Sequence, residues 1–322
     1  MKVLAVATGK YSSRRTQELL SASFAISSDV FLAVFDSEIS GKASFSVESP
    51  GDLKEGWVLE SEPLVSPYDI KEVVKELATK NGINAFLFND SPLSFWIASV
   101  LAGELRIPIV TDVLRLYREG DRILATKPIN MESVWGEYSV PSDGFVFVIR
   151  RGFIGKRKNA KEVVLSRLKI KRSDGQVTVL NESKKEESRL EDALMVIGIG
   201  DGVRQSGTLE AAIKLAKLLG AEYGCTKPLV EAGIMNRERM IGLSGKRISP
   251  KVYLALGISG SNYHLAGISS SEVIISINID KGSPMNRQAD FFLVGDLKDV
   301  LPKLLEIIGS EHKADLFSAP ND

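Results

Sequence analysis

Cysteine and histidine are both scarce in this chain of 322 residues, which has one cysteine, Cys225, and two histidines. A single cysteine excludes an internal disulfide framework and any multi-cysteine metal site, and it is typical of a reducing compartment. The formal net charge at pH 7 is zero, so the composition gives no indication of a nucleic-acid or acidic-membrane partner. We therefore expect a cytoplasmic protein that binds no nucleic acid.

Long apolar runs are also missing. The longest mostly apolar stretch covers residues 93–103, whereas a membrane-spanning helix needs about 20 such residues. The chain opens directly into a strand-like run at residues 3–7, without the longer apolar region and small-residue cleavage site of a signal peptide. We expect neither a signal peptide nor direct membrane insertion, and a length of this size favours two domains.

The first half of the chain alternates short apolar runs with helical patterns. Runs typical of buried strands lie at residues 3–7, 30–35, 85–88 and 107–113, and helical patterns lie between them at 13–24, 69–82 and 93–103. In the second helix, Asp69 is the expected N-cap and Gly82 the expected end. Such alternation predicts a parallel sheet with helices on its faces. Residues 122–127 and 145–151 predict further strands in a small antiparallel annex.

The middle of the chain changes character. Residues 150–172 are rich in lysine and arginine, and residues 181–192 are almost wholly polar. We interpret the basic run as a solvated strand face rather than a nucleic-acid site, because acidic residues follow it closely and no recognition motif is present. The polar stretch predicts the domain boundary, with one domain at 1–188 and a second at 189–322.

The second half repeats the strand and helix alternation. Strands are predicted at residues 194–198, 252–259, 273–278 and 291–296, and helices at 206–221 and 297–308. The predicted fold class is therefore α/β, with two domains that each contain a mostly parallel sheet flanked by helices. Ligands of such sheets bind beyond the carboxyl ends of the strands.

Chemically distinctive residues follow four of these predicted strands. The loops carry the sequences GIGDG and GISGSNYH, then Asn278 with Asp280, and finally Gly295 with Asp296. Glycines let a backbone approach a ligand closely, and hydroxyl and amide groups can hold a phosphate. GIGDG is not the dinucleotide fingerprint, since Val203 stands where the third glycine belongs, and no P-loop lysine follows. Together the four loops nevertheless predict a dinucleotide cradle on one edge.

Four segments in this half resemble a known family: GDGVRQSG, GCTKPLVEAG, IGLSGKRISPKVYLALGISGSNYHLAGI and INIDKGSPMNRQADFFLVGDL. They resemble the C-terminal, FAD-binding domain of the alpha subunit of electron-transfer flavoproteins, over about the last 130 residues. The N-terminal half resembles the family's first domain more loosely. The resemblance implies a Rossmann-like second domain that binds FAD, and a partner-contacting first domain.

The resemblance also implies site residues. The family's flavin-contacting histidine corresponds to His264, beside the flavin edge where a donor or cation would stabilise the charge left by reduction. Its adenosine-side residues correspond to Asn278 and Asp296. The full predicted set of cofactor-binding residues is Gly200, Asp201, Gly202, Arg204, Thr226, Lys227, Gly242, Leu243, Ser244, Gly245, Ser259, Gly260, Ser261, Asn262, Tyr263, His264, Asn278, Asp296 and Leu297. No catalytic residue and no metal ligand is predicted.

This chain departs from the family pattern at four of these positions. Asp201 replaces an arginine, Lys227 replaces an arginine after Thr226 in place of serine, and Leu243 replaces a glutamine. Lysine keeps the positive charge but loses the planar guanidinium fork. The departures bear on the potential and affinity of the flavin, not on the fold.

Two kinds of function remain open at this point. The resemblance implies an electron carrier rather than an enzyme with its own small-molecule substrate. It would work as a heterodimer with a beta subunit, taking electrons from dehydrogenases and passing them to a quinone-reductase-type acceptor. The alternative is a nucleotide-binding protein of the same fold without redox activity, or a pyridine-nucleotide-linked oxidoreductase.

Overall fold

The computed structural model describes residues 1–9, 13–36, 45–60, 65–130, 134–153, 161–171 and 189–317. The chain divides into two compact units, Met1–Ser183 and Lys184–Asp322. Residues 181–188 of the polar stretch, in which we place the domain boundary, lie outside the described residues. Residues 154–160 and 172 of the basic run also lie outside them. Residues 161–169 of that run form two strands with mostly exposed side chains, whereas Arg150 and Arg151 are buried outside any strand.

The first unit is built around a parallel sheet. Its elements in chain order are β1 (Lys2–Thr8), α1 (Ser13–Ile26), β2 (Asp29–Phe35), β3 (Ser46–Ser49), β4 (Gly56–Glu60), α2 (Pro67–Asn81), β5 (Ala85–Asn89), α3 (Pro92–Leu105), β6 (Ile109–Val113), β7 (Arg115–Glu119), β8 (Arg122–Ile129), β9 (Val134–Pro141), β10 (Phe145–Ile149), β11 (Lys161–Val164) and β12 (Ser166–Lys169). Seven of these strands form the sheet, in the order β12-β4-β2-β1-β5-β10-β6. Strands β7, β8 and β9 form an antiparallel sheet, and β11 pairs with β3.

Both faces of the parallel sheet are buried. Side chains alternate along β1, so Val3 and Ala5 belong to one core cluster and Leu4 and Val6 to the other. The first cluster is closed by α1 and the second by α2 and α3. Helices on both faces are the reason why the strands consist of continuous apolar runs rather than alternating ones.

Two local predictions for this unit are wrong. Helix α2 begins one turn earlier than expected, because Ser66 is its N-cap and Asp69 is the third helical residue of a reciprocal capping box. The strand at residues 145–149 does not join the antiparallel annex, since β10 lies between β5 and β6 in the parallel sheet. The other annex strand, β8, is confirmed as antiparallel. The predicted end of the helix at Gly82 is confirmed, and Gly82 caps it in a left-handed conformation.

The second unit has a smaller parallel sheet. Its elements are β13 (Met195–Ile199), α4 (Asp201–Ser206), α5 (Leu209–Leu218), β14 (Glu222–Cys225), α6 (Lys227–Glu231), β15 (Val252–Leu256), α7 (Asn262–Ile268), β16 (Val273–Asn278), α8 (Pro284–Gln288), β17 (Phe291–Val294) and α9 (Leu297–Phe317). The strand order is β14-β13-β15-β16-β17, with every pair parallel. The predicted α/β fold class is confirmed for both units.

The predicted helix at residues 206–221 is shorter in the structure. It consists of α5 alone, because Gly207 adopts a left-handed conformation (φ 68°) and separates α5 from α4. Core clusters cover both faces of the sheet: Leu254 of β15 lies in one and Tyr253 in the other. Within the described ranges, no helix has the length and apolarity needed to cross a bilayer.

Candidate functional site

A cavity of about 830 Å³ opens at the carboxyl edge of the second sheet. Its walls come from the segments that follow β13, β14, β15 and β16, together with residues 240–244 and the start of α7. A volume of this size lies within the range of about 300–1,000 Å³ usual for small-molecule and cofactor sites. All four predicted loops follow parallel strands of this sheet and so lie at its carboxyl edge, and three of them line the cavity. The loop after β17 does not line the cavity.

The loops after β13 and β15 meet backbone to backbone. The amide of Gly202 donates to the carbonyl oxygen of Gly257 at 3.0 Å, and the amide of Gly200 donates to that of Leu256 at 2.9 Å. Gly257 adopts a left-handed conformation (φ 59°), and a Cβ there would lie 2.8 Å from the Cα of Gly202. Neither position tolerates a side chain. Gly202 of the GIGDG segment and Gly257 thus form a junction that only glycine allows. No side chain at this junction covers the backbone from a ligand in the cavity.

The segment at residues 242–245 is held by α7. The Leu243 amide donates to the carbonyl oxygen of Tyr263 at 2.7 Å, and a Cβ on Gly242 would lie 2.9 Å from that same oxygen. Gly267 of α7 packs against the backbone of Gly242 in turn. Ser244 lines the cavity, whereas Leu243 and Gly245 do not. Leu243 and Gly245 therefore shape the backbone of the segment, and Ser244 contributes its side chain to the cavity wall.

The loop after β14 brings an unpaired hydroxyl to the cavity. The Oγ1 atom of Thr226 is buried and has no hydrogen-bond partner within the described structure, although the side chain lines the cavity. A buried hydroxyl without a partner is costly, so this atom indicates a bound polar group. Beside it, Lys227 forms an ion pair with Glu231 at 3.2 Å, and both side chains are largely exposed.

Asp201 occupies the position where the resembling family has arginine, and it is held within its own helix. Its carboxylate accepts from Arg204 Nε at 2.6 Å and from Gln205 Nε2 at 2.7 Å. Hydrogen bonding to Arg204, and then to Gln205, lowers the pKa of Asp201. Asp201 and Gln205 line the cavity, but Arg204 does not. The positive charge of the Arg204 guanidinium therefore offsets the negative charge of the Asp201 carboxylate.

His264 lies in the cavity wall with both ring nitrogens engaged. Its Nε2 lies 2.8 Å from the hydroxyl oxygen of Tyr253, and its Nδ1 lies 3.2 Å from the carbonyl oxygen of Ile241. The side chain is only 4% exposed, and burial lowers its pKa to about 4, opposed by the bond to Ile241. The imidazole is consequently neutral at pH 7. The cationic form considered from the sequence is not the one that the fold stabilises.

Asn278 and Asp296 each make local bonds. Asn278 donates from Nδ2 to the carbonyl oxygen of Ile258 at 2.8 Å and accepts from the Asp280 amide at 3.0 Å. It lines the cavity and ties two of its loops together. Asp296 accepts from the Lys298 amide at 2.9 Å at the start of α9. It lies outside the cavity wall.

The structure gathers eleven of the predicted site residues around the cavity: Asp201, Gly202, Thr226, Lys227, Gly242, Ser244, Ser259, Ser261, Tyr263, His264 and Asn278. The remaining predicted residues lie outside its wall: Gly200, Arg204, Leu243, Gly245, Gly260, Asn262, Asp296 and Leu297. Several of these residues support the lining segments without reaching the cavity. Gly260, for example, adopts a left-handed conformation (φ 83°) against the backbone of Met285.

Ten lining residues are absent from the predicted set of cofactor-binding residues: Gln205, Pro228, Glu231, Met240, Ile241, Gly257, Ile258, Ile279, Asp280 and Ser283. Gly257 and Asp280 belong to loops that the sequence singled out, so extending the prediction along those loops would have found them. Met240 and Ile241 are buried apolar residues outside those loops, and no sequence signal separates an apolar cavity wall from core.

Fold and cavity together define an α/β protein of two units, the second of which carries a nucleotide-type cofactor site at the carboxyl edge of its sheet. Residues 189–269 match the model of the electron transfer flavoprotein FAD-binding domain. The chain is also 30% identical to the electron transfer flavoprotein subunit alpha of Syntrophomonas wolfei over 226 residues, which cover 69% of this chain and 71% of the relative. The chain belongs to the electron transfer flavoprotein alpha subunit family, and its cofactor is FAD.

Two further relatives match over shorter regions. Protein FixB of Clostridium saccharobutylicum is 36% identical over 150 residues, or 45% of this chain and 45% of the relative. Subunit LctC of the lactate dehydrogenase (NAD(+),ferredoxin) of Acetobacterium woodii is 39% identical over 141 residues. This match covers 43% of the chain and 34% of LctC. The chain thus spans less than half the length of these two relatives.

Proposed function

We propose that this chain binds FAD in the cavity of its second unit and carries electrons between proteins, as the alpha subunit of a heterodimer with a beta subunit. The observation that carries the proposal is the glycine-bounded cavity of about 830 Å³, which lies within the unit that matches the family's FAD-binding domain. When bound, FAD supplies the chemistry, since it accepts and releases electrons reversibly.

The residues in the wall fit such a group. Ser259 and Ser261 offer hydroxyls from the loop after β15, next to the Gly202–Gly257 junction where the backbone is bare. These donors suit a pyrophosphate. The unpartnered hydroxyl of Thr226 is a further donor. A ligand that accepts its hydrogen bond would remove the energetic cost of burying this hydroxyl without a partner. Apolar side chains such as Ile241 and Ile258 suit an aromatic ring system.

The charges in the wall bear on how the cofactor is tuned. Lys227 is the one basic side chain among the described lining residues, while Asp201, Glu231 and Asp280 are acidic. We assign to Lys227 the role of stabilising negative charge on the reduced cofactor. Because Glu231 pairs with Lys227 at 3.2 Å, that stabilisation is weaker than an unpaired cation would give.

His264 does not suit the role of an acid or base catalyst in this cavity. An acid or base catalyst works best with a pKa near the operating pH, but the pKa of His264 is about 4 and both its nitrogens are engaged. A neutral imidazole with both nitrogens hydrogen-bonded to the protein can line the cavity, but it is poorly placed to transfer a proton to a ligand.

The partner proteins are proposed on the strength of family membership. We place the beta-subunit contact on the N-terminal unit, whose antiparallel sheet exposes Tyr117, Val134, Trp135 and Tyr138. Exposed aromatic side chains of this kind are enriched in protein interfaces. Dehydrogenases are the proposed donors, in keeping with the name of the LctC relative, and a quinone-reductase-type protein is the proposed acceptor. The cytoplasmic location stays a prediction.

The test is reconstitution of the chain co-purified with its beta subunit. After removal of bound nucleotide, the complex is titrated with FAD and, separately, with FMN and NADH. We expect saturable binding of FAD with flavin absorbance, and weak or no binding of FMN because it lacks the pyrophosphate. A colourless complex that binds NADH instead would support the pyridine-nucleotide alternative and contradict the proposal.

A further inference from the structure

Tyr253 lies beneath the cavity, and its one side-chain hydrogen bond in the described structure joins it to His264 in the cavity wall. It is the largest fully buried side chain described in the protein, on the second residue of β15. Its phenol points into the core cluster that contains Ile241, Ile258 and Ile268, on the face of the sheet next to α7. Tyr253 does not line the cavity, whereas His264 does.

The hydrogen bonds around His264 determine its tautomer. A carbonyl oxygen only accepts, so the contact of 3.2 Å between Nδ1 and the Ile241 oxygen requires a proton on Nδ1. In a neutral imidazole the other nitrogen then carries a lone pair. The contact of 2.8 Å at Nε2 is therefore a bond donated by the Tyr253 hydroxyl. The reverse tautomer would place a lone pair of Nδ1 against the carbonyl oxygen, and the phenol would then accept from Nε2 and lose this partner for its own proton.

The sequence makes room for this phenol. Gly198 lies in β13 on the same face of the sheet, and a Cβ at that position would overlap the hydroxyl oxygen of Tyr253. Burial also raises the pKa of Tyr253, so the hydroxyl keeps its proton and remains a donor. A glycine, a tyrosine and a histidine from three neighbouring elements thus form one continuous packed unit under the cavity.

We propose that Tyr253 is a positioning residue of the cofactor cavity, whose hydroxyl holds His264 as the Nδ1–H tautomer in a single orientation, so that the imidazole forms a neutral wall. The inference rests on the proposed FAD site, because it assigns to Tyr253 a part in shaping that site. His264 contributes shape and polarity to the wall, and Tyr253 fixes both.

The test exploits the scarcity of histidine. With only two histidines in the chain, a complex containing 15N-histidine in this subunit gives signals from two imidazoles, one Nδ1 and one Nε2 signal each, which a His312→Gln variant assigns. In the wild type we expect a protonated Nδ1 and an unprotonated, hydrogen-bonded Nε2 for His264. In Tyr253→Phe we expect the Nε2 signal to shift towards that of a free lone pair. FAD affinity should fall by up to about tenfold, the equivalent of one lost hydrogen bond.

Tyr223→Phe is the matched control, because Tyr223 lies in the same sheet with its ring against Arg239 and does not line the cavity. It should change neither the His264 signals nor FAD affinity. Unchanged Nε2 signals in Tyr253→Phe, or unchanged FAD affinity, would overturn the proposal. A wild-type complex that binds no FAD would refute the proposed function, and the tautomer measurement would still show whether Tyr253 holds His264.

Discussion

The amide nitrogen of Gly202 lies 3.0 Å from the carbonyl oxygen of Gly257, and this bond joins the loops after two neighbouring strands. Each glycine leaves no space for a side chain on the other. The junction brings two strand ends together at the cavity, and it makes the site sensitive to single methyl groups.

Gly257→Ala should destabilise the protein and abolish measurable FAD binding. The left-handed conformation alone costs an alanine roughly 1–2 kcal/mol, and overlap with the backbone of Gly202 adds about 1–3 kcal/mol. Gly220→Ala is the matched control, since Gly220 has φ 60° and open space around its Cβ position. Urea denaturation of both variants separates the two costs. Equal destabilisation of the two variants would show that the contact with Gly202 is unimportant.

Thr226→Val should separate stability from binding. Valine keeps the shape of threonine and removes the unpartnered hydroxyl, so thermal stability without FAD should be unchanged or higher by up to about 1 kcal/mol. FAD affinity should fall about three- to tenfold, measured by fluorescence titration, since one donor to the ligand is lost. Thr208→Val serves as control because Thr208 lies outside the cavity wall. A lower stability with unchanged affinity would refute the assignment.

Lys227 and Glu231 should shift the flavin potential in opposite directions. Lys227→Ala removes a cation near the cofactor and should lower the potential, whereas Glu231→Gln removes an anion and should raise it. Both side chains are more than half exposed, so we expect changes on the order of tens of millivolts. Redox titration measures them, with Lys217→Ala on the exposed face of α5 as control. Shifts of the same sign in both variants would exclude an electrostatic origin.

The burial of His264 predicts a loss of stability in mild acid. Its pKa is about 4 in the folded protein, against an ordinary value of 6.5. Between these two values the unfolded chain binds more protons than the folded one, so stability falls as the pH drops from 6.5 to 4. The contribution of this group amounts to about 3 kcal/mol when fully developed.

Denaturation of the wild type and of His264→Gln at pH 7 and pH 4.5 checks this expectation. Glutamine does not titrate, so the variant should lose less stability than the wild type over the same interval. An identical loss in both proteins would show that His264 is not the group responsible.

The sequence predicted those features that depend on local pattern. Buried strands such as β13 and β15, and the glycine loops that follow them, were recognisable from apolar runs and turn residues. The position of β10 was not, because a run of five apolar residues fits a central strand of either sheet until its partners are known. Sheet order is set by contacts between distant residues, which a single sequence does not display.

The same limit applies within the site. His264 was identified from its glycine-serine loop, but its pKa is lowered by burial in the folded chain, and its hydrogen-bond partners Tyr253 and Ile241 lie 11 and 23 residues away. Tyr253 itself looks like any core residue of a continuously buried strand. The break between α4 and α5 follows from the low helix propensity of Gly207, which ends α4 within an otherwise continuous helical pattern.

The most direct test of the electron-carrier proposal is a redox cycle of the FAD-loaded complex with its beta subunit under anaerobic conditions. Dithionite is added until the flavin absorbance is lost, and an artificial electron acceptor is then added in known amount. We predict that the absorbance returns in proportion to the acceptor reduced, that FAD stays bound throughout, and that Lys227→Ala requires a lower potential for the same bleaching. A complex that binds FAD but neither loses nor regains its absorbance would contradict the account.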